Sequence, residues 1–184
     1  MSRQPDNALM LRVQAGDLEA FAQLVARFQN MVYGLTLSIL RRREDAEEAA
    51  QDAFVKLFRA RDSFDSQKSF EPWLLRIAGN ASRDKLRRRR VNETPMQRND
   101  EDELFEYADP RTTPDPGLQD GEAVRQALDG LSQKVRLPLE LKYLRGLTNQ
   151  QIASALEISV SNVKVQIARG KDILASRLEG KLQS

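Results

Sequence analysis

The chain has 184 residues, with 29 Lys and Arg against 27 Asp and Glu, and it contains neither cysteine nor histidine. That length holds one ordinary domain or two small ones, and the missing residue types exclude disulfides, thiol nucleophiles, histidine general bases and most zinc sites. The net charge of +2 averages over strongly segregated segments. Residues 1–7 are polar, and no apolar run reaches the roughly 20 residues that span a bilayer, so a cytoplasmic protein without membrane insertion is expected. Asp6 is placed to cap a short helix carrying Leu9, Met10 and Val13; Gly16 ends it, and Asp17 caps the next. Phe21, Leu24, Phe28, Val32, Leu35 and Ile39 recur at spacings of three and four, the stripe of one long helix. Arg41, Arg42 and Arg43 are expected to close it with charges suited to its negative end. A third helix is predicted over residues 44–61, with Ala46, Ala50, Phe54, Leu57 and Phe58 inward. A fourth starts near Glu71, with Pro72 in the tolerated first turn, and ends in the basic run Arg87, Arg88, Arg89, Arg90.

The composition then changes. Residues 91–122 hold four of the seven prolines, ten acids and two bases, a local charge of −8 that leaves +10 on the rest. This reads as an acidic, Pro-containing linker. Helical patterning returns over residues 123–180. No segment alternates like a strand. The expected fold class is therefore all-α, with two small helical domains, 5–90 and 123–180, joined by the linker 91–122.

Three segments carry functional signals. In the C-terminal domain, Thr148 with Gln151 three residues later forms a capping box, followed by Ile152, Ala153 and Leu156 as a buried face. After a break at Glu157-Ile158, Ser159 caps a second helix whose apolar face is Val163 and Ile167. Two helices so short and so tightly joined make a helix-turn-helix. Its second helix is expected to present Ser161, Asn162, Lys164, Val165, Gln166 and Arg169 outward, groups suited to base edges and phosphates. An ordinary helical hairpin with a solvated face is the blander reading, and the coincidence of capping box, small Ala153 and polar second helix weighs against it.

The second segment joins aromatics (Phe64, Phe70, Trp73) to the basic run that begins at Arg83. Basic groups attract phosphates and aromatics stack on unpaired bases. Phe70 and Trp73 fit a core equally well, and an Arg run fits a solvated helix end, so the residues alone leave both readings open. The third is the acidic helix around Glu44, Asp45, Glu47 and Glu48, with small residues beside the acids. It suits docking to another helical protein. A metal-dependent hydrolase built on these carboxylates is the alternative from another class, and the absence of histidine argues against it. A conventional helix-turn-helix regulator and a pure interaction protein are the others.

These blocks, in this order, resemble the extracytoplasmic-function (ECF) group of bacterial RNA polymerase sigma factors, over nearly the whole chain from Leu9 to Leu178. The resemblance implies a protein that is not an enzyme, needs no cofactor, metal or small-molecule substrate, and partners core RNA polymerase, promoter DNA and an anti-sigma factor. It assigns Asp45, Glu48, Gln51, Asp52, Phe54 and Leu57 to core-polymerase binding. It assigns Phe64, Trp73, Arg76, Asn80, Arg83, Lys85, Arg87 and Arg88 to the −10 element, where the loop at residues 63–69 captures a flipped base. It assigns Ser161, Asn162, Lys164, Val165, Gln166 and Arg169 to the −35 element, and threads the linker through the polymerase between the two DNA-reading domains. The chain departs from the family's pattern at several places, and Ala49 and Ala50 stand where larger aliphatic residues are common. Gly79 stands where arginine is usual and Glu157 where glycine is usual. Val165 and Gln166 occupy reading positions, so the −35 sequence cannot be copied from relatives.

Overall fold

The computed structural model describes residues 3–93, 128 and 130–182, and every regular element among them is helical. Helix α1 spans Arg3–Gln14, α2 Leu18–Leu40, α3 Arg43–Arg59 and α4 Phe70–Glu93, with a 3-10 turn at Arg61–Ser63. Helix α5 spans Gln133–Leu139 and runs on as a π turn, Glu140–Leu144; α6 spans Asn149–Leu156 and α7 Val160–Leu182. The linker expected at 91–122 begins inside α4 for its first three residues, and its remainder lies outside the described residues.

Local sequence sets most helix ends. Asp17 caps α2, its carboxylate accepting from the Ala20 amide at 3.0 Å. Gly16, at φ +91°, makes the preceding turn. Two expectations are corrected. Asp6 lies within the first turns of α1 rather than at its cap, and its buried carboxylate pairs with Arg27. Of the three arginines at 41–43, only Arg41 closes α2, in the left-handed conformation at φ 61°; Arg42 is the N-cap of α3 and Arg43 its first residue. The break comes there because Arg41 turns the chain sharply, so the next helix starts two residues on.

The apolar stripe of α2 (Leu24, Phe28, Val32, Leu35, Ile39) is buried against α1, α3 and α4. Small Ala46, Ala49, Ala50 and Ala53 let α3 approach closely. In the C-terminal half, α5 packs on α7, and Gly170 leaves room there for Leu139: a Cβ would stand 2.3 Å from Leu139 Cδ1, and that side chain would have to shift. The π turn follows Pro138, which cannot donate its amide inside α5. The buried apolar residues of the two halves form one continuous cluster, with α6 seated on α4.

Candidate nucleic-acid and polymerase interface

The helix-turn-helix forms as its capping residues dictate. Thr148 Oγ1 accepts from the Gln151 amide at 3.2 Å, and Gln151 Oε1 accepts from the Thr148 amide at 2.7 Å, closing the capping box of α6. Glu157 ends α6 at φ 55°, ψ 40°, a left-handed position that costs a side chain about 1 kcal/mol relative to glycine. Ser159 Oγ then accepts from the Asn162 amide at 3.1 Å to start α7.

On α7, Ser161, Lys164, Val165 and Arg169 are exposed and share one face; Val165 is 60% open. Gln166 corrects the expectation of an outward reading residue. It is 7% exposed, and its amide donates back to Asn162 Oδ1 at 3.1 Å. The period of 3.6 places it beside Val163 and Gly170 on the packed side.

Helix α4 carries Trp73, Arg76, Asn80, Arg83 and Arg87 along one face by the same period. Arg76, Arg87 and Arg88 are exposed, while Trp73, Asn80 and Arg83 are half-buried. Phe64 is 6% exposed, with its ring 5.1 Å from Trp73 and 6.0 Å from Phe70. It is therefore a wall of the aromatic cluster and presents no free face for a base, contrary to the sequence expectation. Lys85 points the other way, to Glu48 and Asp45 of α3. The Glu48 hydrogen bond is the main reason its ammonium titrates above the ordinary lysine value, aided by the Glu48 and Asp45 charges. Arg89 also binds Asp45, at 3.2 Å. These bases brace α3 against α4.

Asp84 joins the brace through Lys56 at 2.8 Å. That hydrogen bond, then the nearby positive charges, hold its carboxyl below the ordinary 3.8. A depressed carboxyl contributes stability that is present above 3.8 and lost as the pH falls through the folded value. Asp84→Asn should therefore cost about 0.5 kcal/mol at neutral pH, as for solvent-screened pairs. The gap from the parent chain should narrow in urea titrations as the pH falls below 3.8 and close once it lies below the folded value; a gap that persists there would show that the charge is not its source.

The loop at residues 63–69 is pinned by residues that sequence reasoning missed. Asn7 Nδ2 donates to the carbonyls of Ser66 (3.0 Å) and Lys68 (2.9 Å), while its Oδ1 accepts from the Phe70 amide at 3.1 Å and so caps α4 from a distant helix. Gln14 Nε2 donates to the Arg61 and Phe64 carbonyls at 2.8 and 3.0 Å. Nothing in their spacing marks two polar residues on α1 as supports of a loop some fifty residues away.

On α3, Phe54 and Leu57 are buried in the protein's own core, which corrects their assignment to a docking surface. The face that is open carries Glu48, Gln51, Asp52 and Val55, the last 47% exposed. Val55 was legible, since it stands one turn beyond Gln51 and off the buried stripe.

The two halves meet along α4. Gly79 is buried against the backbone of α6, where a Cβ would stand 1.9 Å from the Ala155 carbonyl oxygen. Glu157 accepts from Asn80 Nδ2 at 3.3 Å and pairs with Arg83 Nη2 at 2.7 Å. Burial draws the Arg83 guanidinium below its ordinary value, with Glu157 and Asp84 opposing. Gln151 Nε2 donates to Glu71 Oε2 at 2.9 Å. Further along, Glu140 Oε1 accepts from Arg136 (2.8 Å) and Arg41 (2.9 Å), and Arg145 Nε donates to Ser38 Oγ at 3.3 Å.

Two family models match the chain: sigma-70 region 2 over residues 24–91 and sigma-70 region 4 over residues 121–174. The RNA polymerase sigma-H factor of Pseudomonas aeruginosa is 30% identical over 97% of this chain and 96% of its own length. The ECF RNA polymerase sigma-E factor of Haemophilus influenzae is 31% identical over 95% of each. The chain belongs to the ECF sigma factors. Among solved structures, CnrH in complex with the cytosolic domain of CnrY is similar, with a TM-score of 0.66 and 27% identity over 95% of this chain and 97% of that one. Like other sigma factors, the chain directs promoter-specific transcription initiation with core RNA polymerase. Helix α1 lies ahead of the matched region 2, yet it supplies the two side chains that hold the 63–69 loop of this sigma factor. Among the described residues no helix is long and apolar enough to cross a membrane.

Proposed function

We propose that three faces of this sigma factor divide the work of initiation. Glu48, Gln51, Asp52 and Val55 on α3 dock on core polymerase. Ser161, Lys164, Val165 and Arg169 on α7, with Asn162 beside them, contact the −35 element. Trp73, Arg76, Asn80, Arg83, Arg87 and Arg88 on α4, with the 63–69 loop, hold an unstacked −10 strand. The observation that carries the reading is the open polar and cationic face of α7 behind a capped helix-turn-helix. Trapping an unstacked base offsets the few kcal/mol that unstacking costs. The protein then acts by binding alone, in the cytoplasm where the polymerase works, without covalent chemistry, metal or cofactor of its own. The acidic linker threads between the two domains inside the polymerase, and an anti-sigma partner holds the chain inactive.

Transcription in vitro by core polymerase and this chain on a genomic library, with start sites sequenced, tests the reading. Starts preceded by two shared sequence elements support it; no enrichment over core enzyme alone would sink it. Within the holoenzyme, Lys164→Ala or Arg169→Ala should weaken promoter binding and lower the salt slope by about 0.9 per phosphate no longer neutralised. An unchanged affinity and slope would remove that residue from the interface.

A further inference from the structure

Asn7 and Gln14 stand two turns apart on one face of α1, about 10 Å along its axis. Between them Met10 and Val13 are fully buried, so the helix that carries both side chains is fixed in the core. The loop at residues 63–69 is held at both ends from this face. Gln14 takes the entry, through the Arg61 and Phe64 carbonyls. Asn7 takes the exit, through the Ser66 and Lys68 carbonyls and the Phe70 amide. The exit demands two donated hydrogens and one accepting oxygen, and among side chains only a carboxamide supplies that set. Residues 65–68 keep exposed side chains while the Ser66 and Lys68 carbonyls are tied to α1. Gln67 lies between the two tethered carbonyls, and its own amide is held by Asp65 Oδ1 at 3.0 Å. Phe64 is walled into the aromatic cluster, so the loop meets a base only with this outward rim.

We propose that Asn7 and Gln14 are positioning residues for the capture of a flipped −10 base. They hold the 63–69 loop in its receiving shape before DNA arrives, and so set how strictly one base is chosen. The inference rests on the reading of this loop as part of the −10 surface. Both residues lie ahead of the segment matched to region 2, and neither needs to touch DNA. A loop that took shape only on contact would lose affinity to that ordering, and equally for every base. A loop already in shape rejects the bases that do not fit, because its polar groups cannot shift to meet them.

Asn7→Asp separates the two duties of that residue. Its carboxylate still accepts from the Phe70 amide, at a helix N-terminus that favours negative charge, but has no hydrogen for Ser66 or Lys68. Gln14→Met, which keeps the length of the side chain and loses the donor, is the second variant, at the other end of the loop. Hydrogen exchange in the full chain without DNA reads the tether. In Asn7→Asp the Lys68 amide, bonded to the Asp65 carbonyl at 2.9 Å, should exchange at least about tenfold faster, while the Phe70 amide stays slow. In Gln14→Met the same gain is expected at the Phe64 amide, which donates to the Arg61 carbonyl at 3.1 Å. Transcription by holoenzyme from promoters randomised through both elements reads the capture. The parent should prefer one base strongly at one −10 position. Each variant should flatten that preference at least about fivefold and leave the −35 preferences as they were. Unchanged exchange at both amides would overturn the tether. Faster exchange with the base preference intact would overturn the positioning role, and so would an even loss of preference across both elements, the mark of general damage to the fold. A parent that prefers no −10 base, while exchange still responds, would sink the reading of the loop and the proposal with it.

Discussion

Phe70→Ala is expected to lower folding stability by about 4 kcal/mol, the usual order for truncating a buried aromatic. Phe70 is 1% exposed, and its ring stands 5.2 Å from Phe28, 6.0 Å from Phe64 and 6.2 Å from Trp73. It is the first residue of α4 and the one ring that touches the other three. Its removal opens a cavity at the point where α2, the 63–69 loop and α4 converge, and little nearby can collapse to fill it. Urea unfolding should show a lower midpoint with an unchanged slope. Holoenzyme carrying the variant should also fail to initiate at temperatures where the parent is active, because Trp73 and the loop no longer share a support. A drop below 1 kcal/mol would mean that the cluster is looser than its ring distances indicate.

Glu140→Ala is expected to cost about 3 kcal/mol, the order found when one partner is removed from a buried ion pair. The carboxylate accepts from both Arg136 and Arg41, and the Arg136 and Glu140 side chains are almost fully buried. In a chain of this size that corresponds to a fall in Tm of roughly 6–12 °C. The companion experiment replaces all three members by apolar residues of similar volume, which should recover most of the stability because no buried charge is stranded. A single variant as stable as the parent would show that the pair is compensated elsewhere. Arg41 is also the left-handed cap of α2, so this carboxylate ties a helix end of the first region to the π turn of the second.

Helix ends were legible in the sequence where a side chain answers to its own neighbours. Asp17, Gly16, Thr148 with Gln151, and Ser159 each act within three residues, and each marks a helix end that the structure contains. Legibility failed where two partners compete for one side chain. Phe54, Leu57 and Phe64 are apolar residues beside a binding face, and an apolar stripe does not say whether its cover is the same chain or another. All three belong to the protein's own core. Gln166 failed for a related reason: polarity suggested solvent, while its helical phase put it on the packed side of α7 and its amide found Asn162. Lys85 was grouped with the arginines around it, although it projects from the opposite side of α4 toward the acids of α3. The supports Asn7 and Gln14 and the seam at Gly79 were illegible, since each depends on a segment tens of residues away.

Gln151 completes the capping box with its oxygen and reaches Glu71 of α4 with its nitrogen. A capping box is served equally by glutamate or glutamine, but only the amide has hydrogens to give a second carboxylate. The choice of the neutral side chain is therefore set from outside the helix it begins. The same side chain thus serves the start of α6 and its contact with α4 at once.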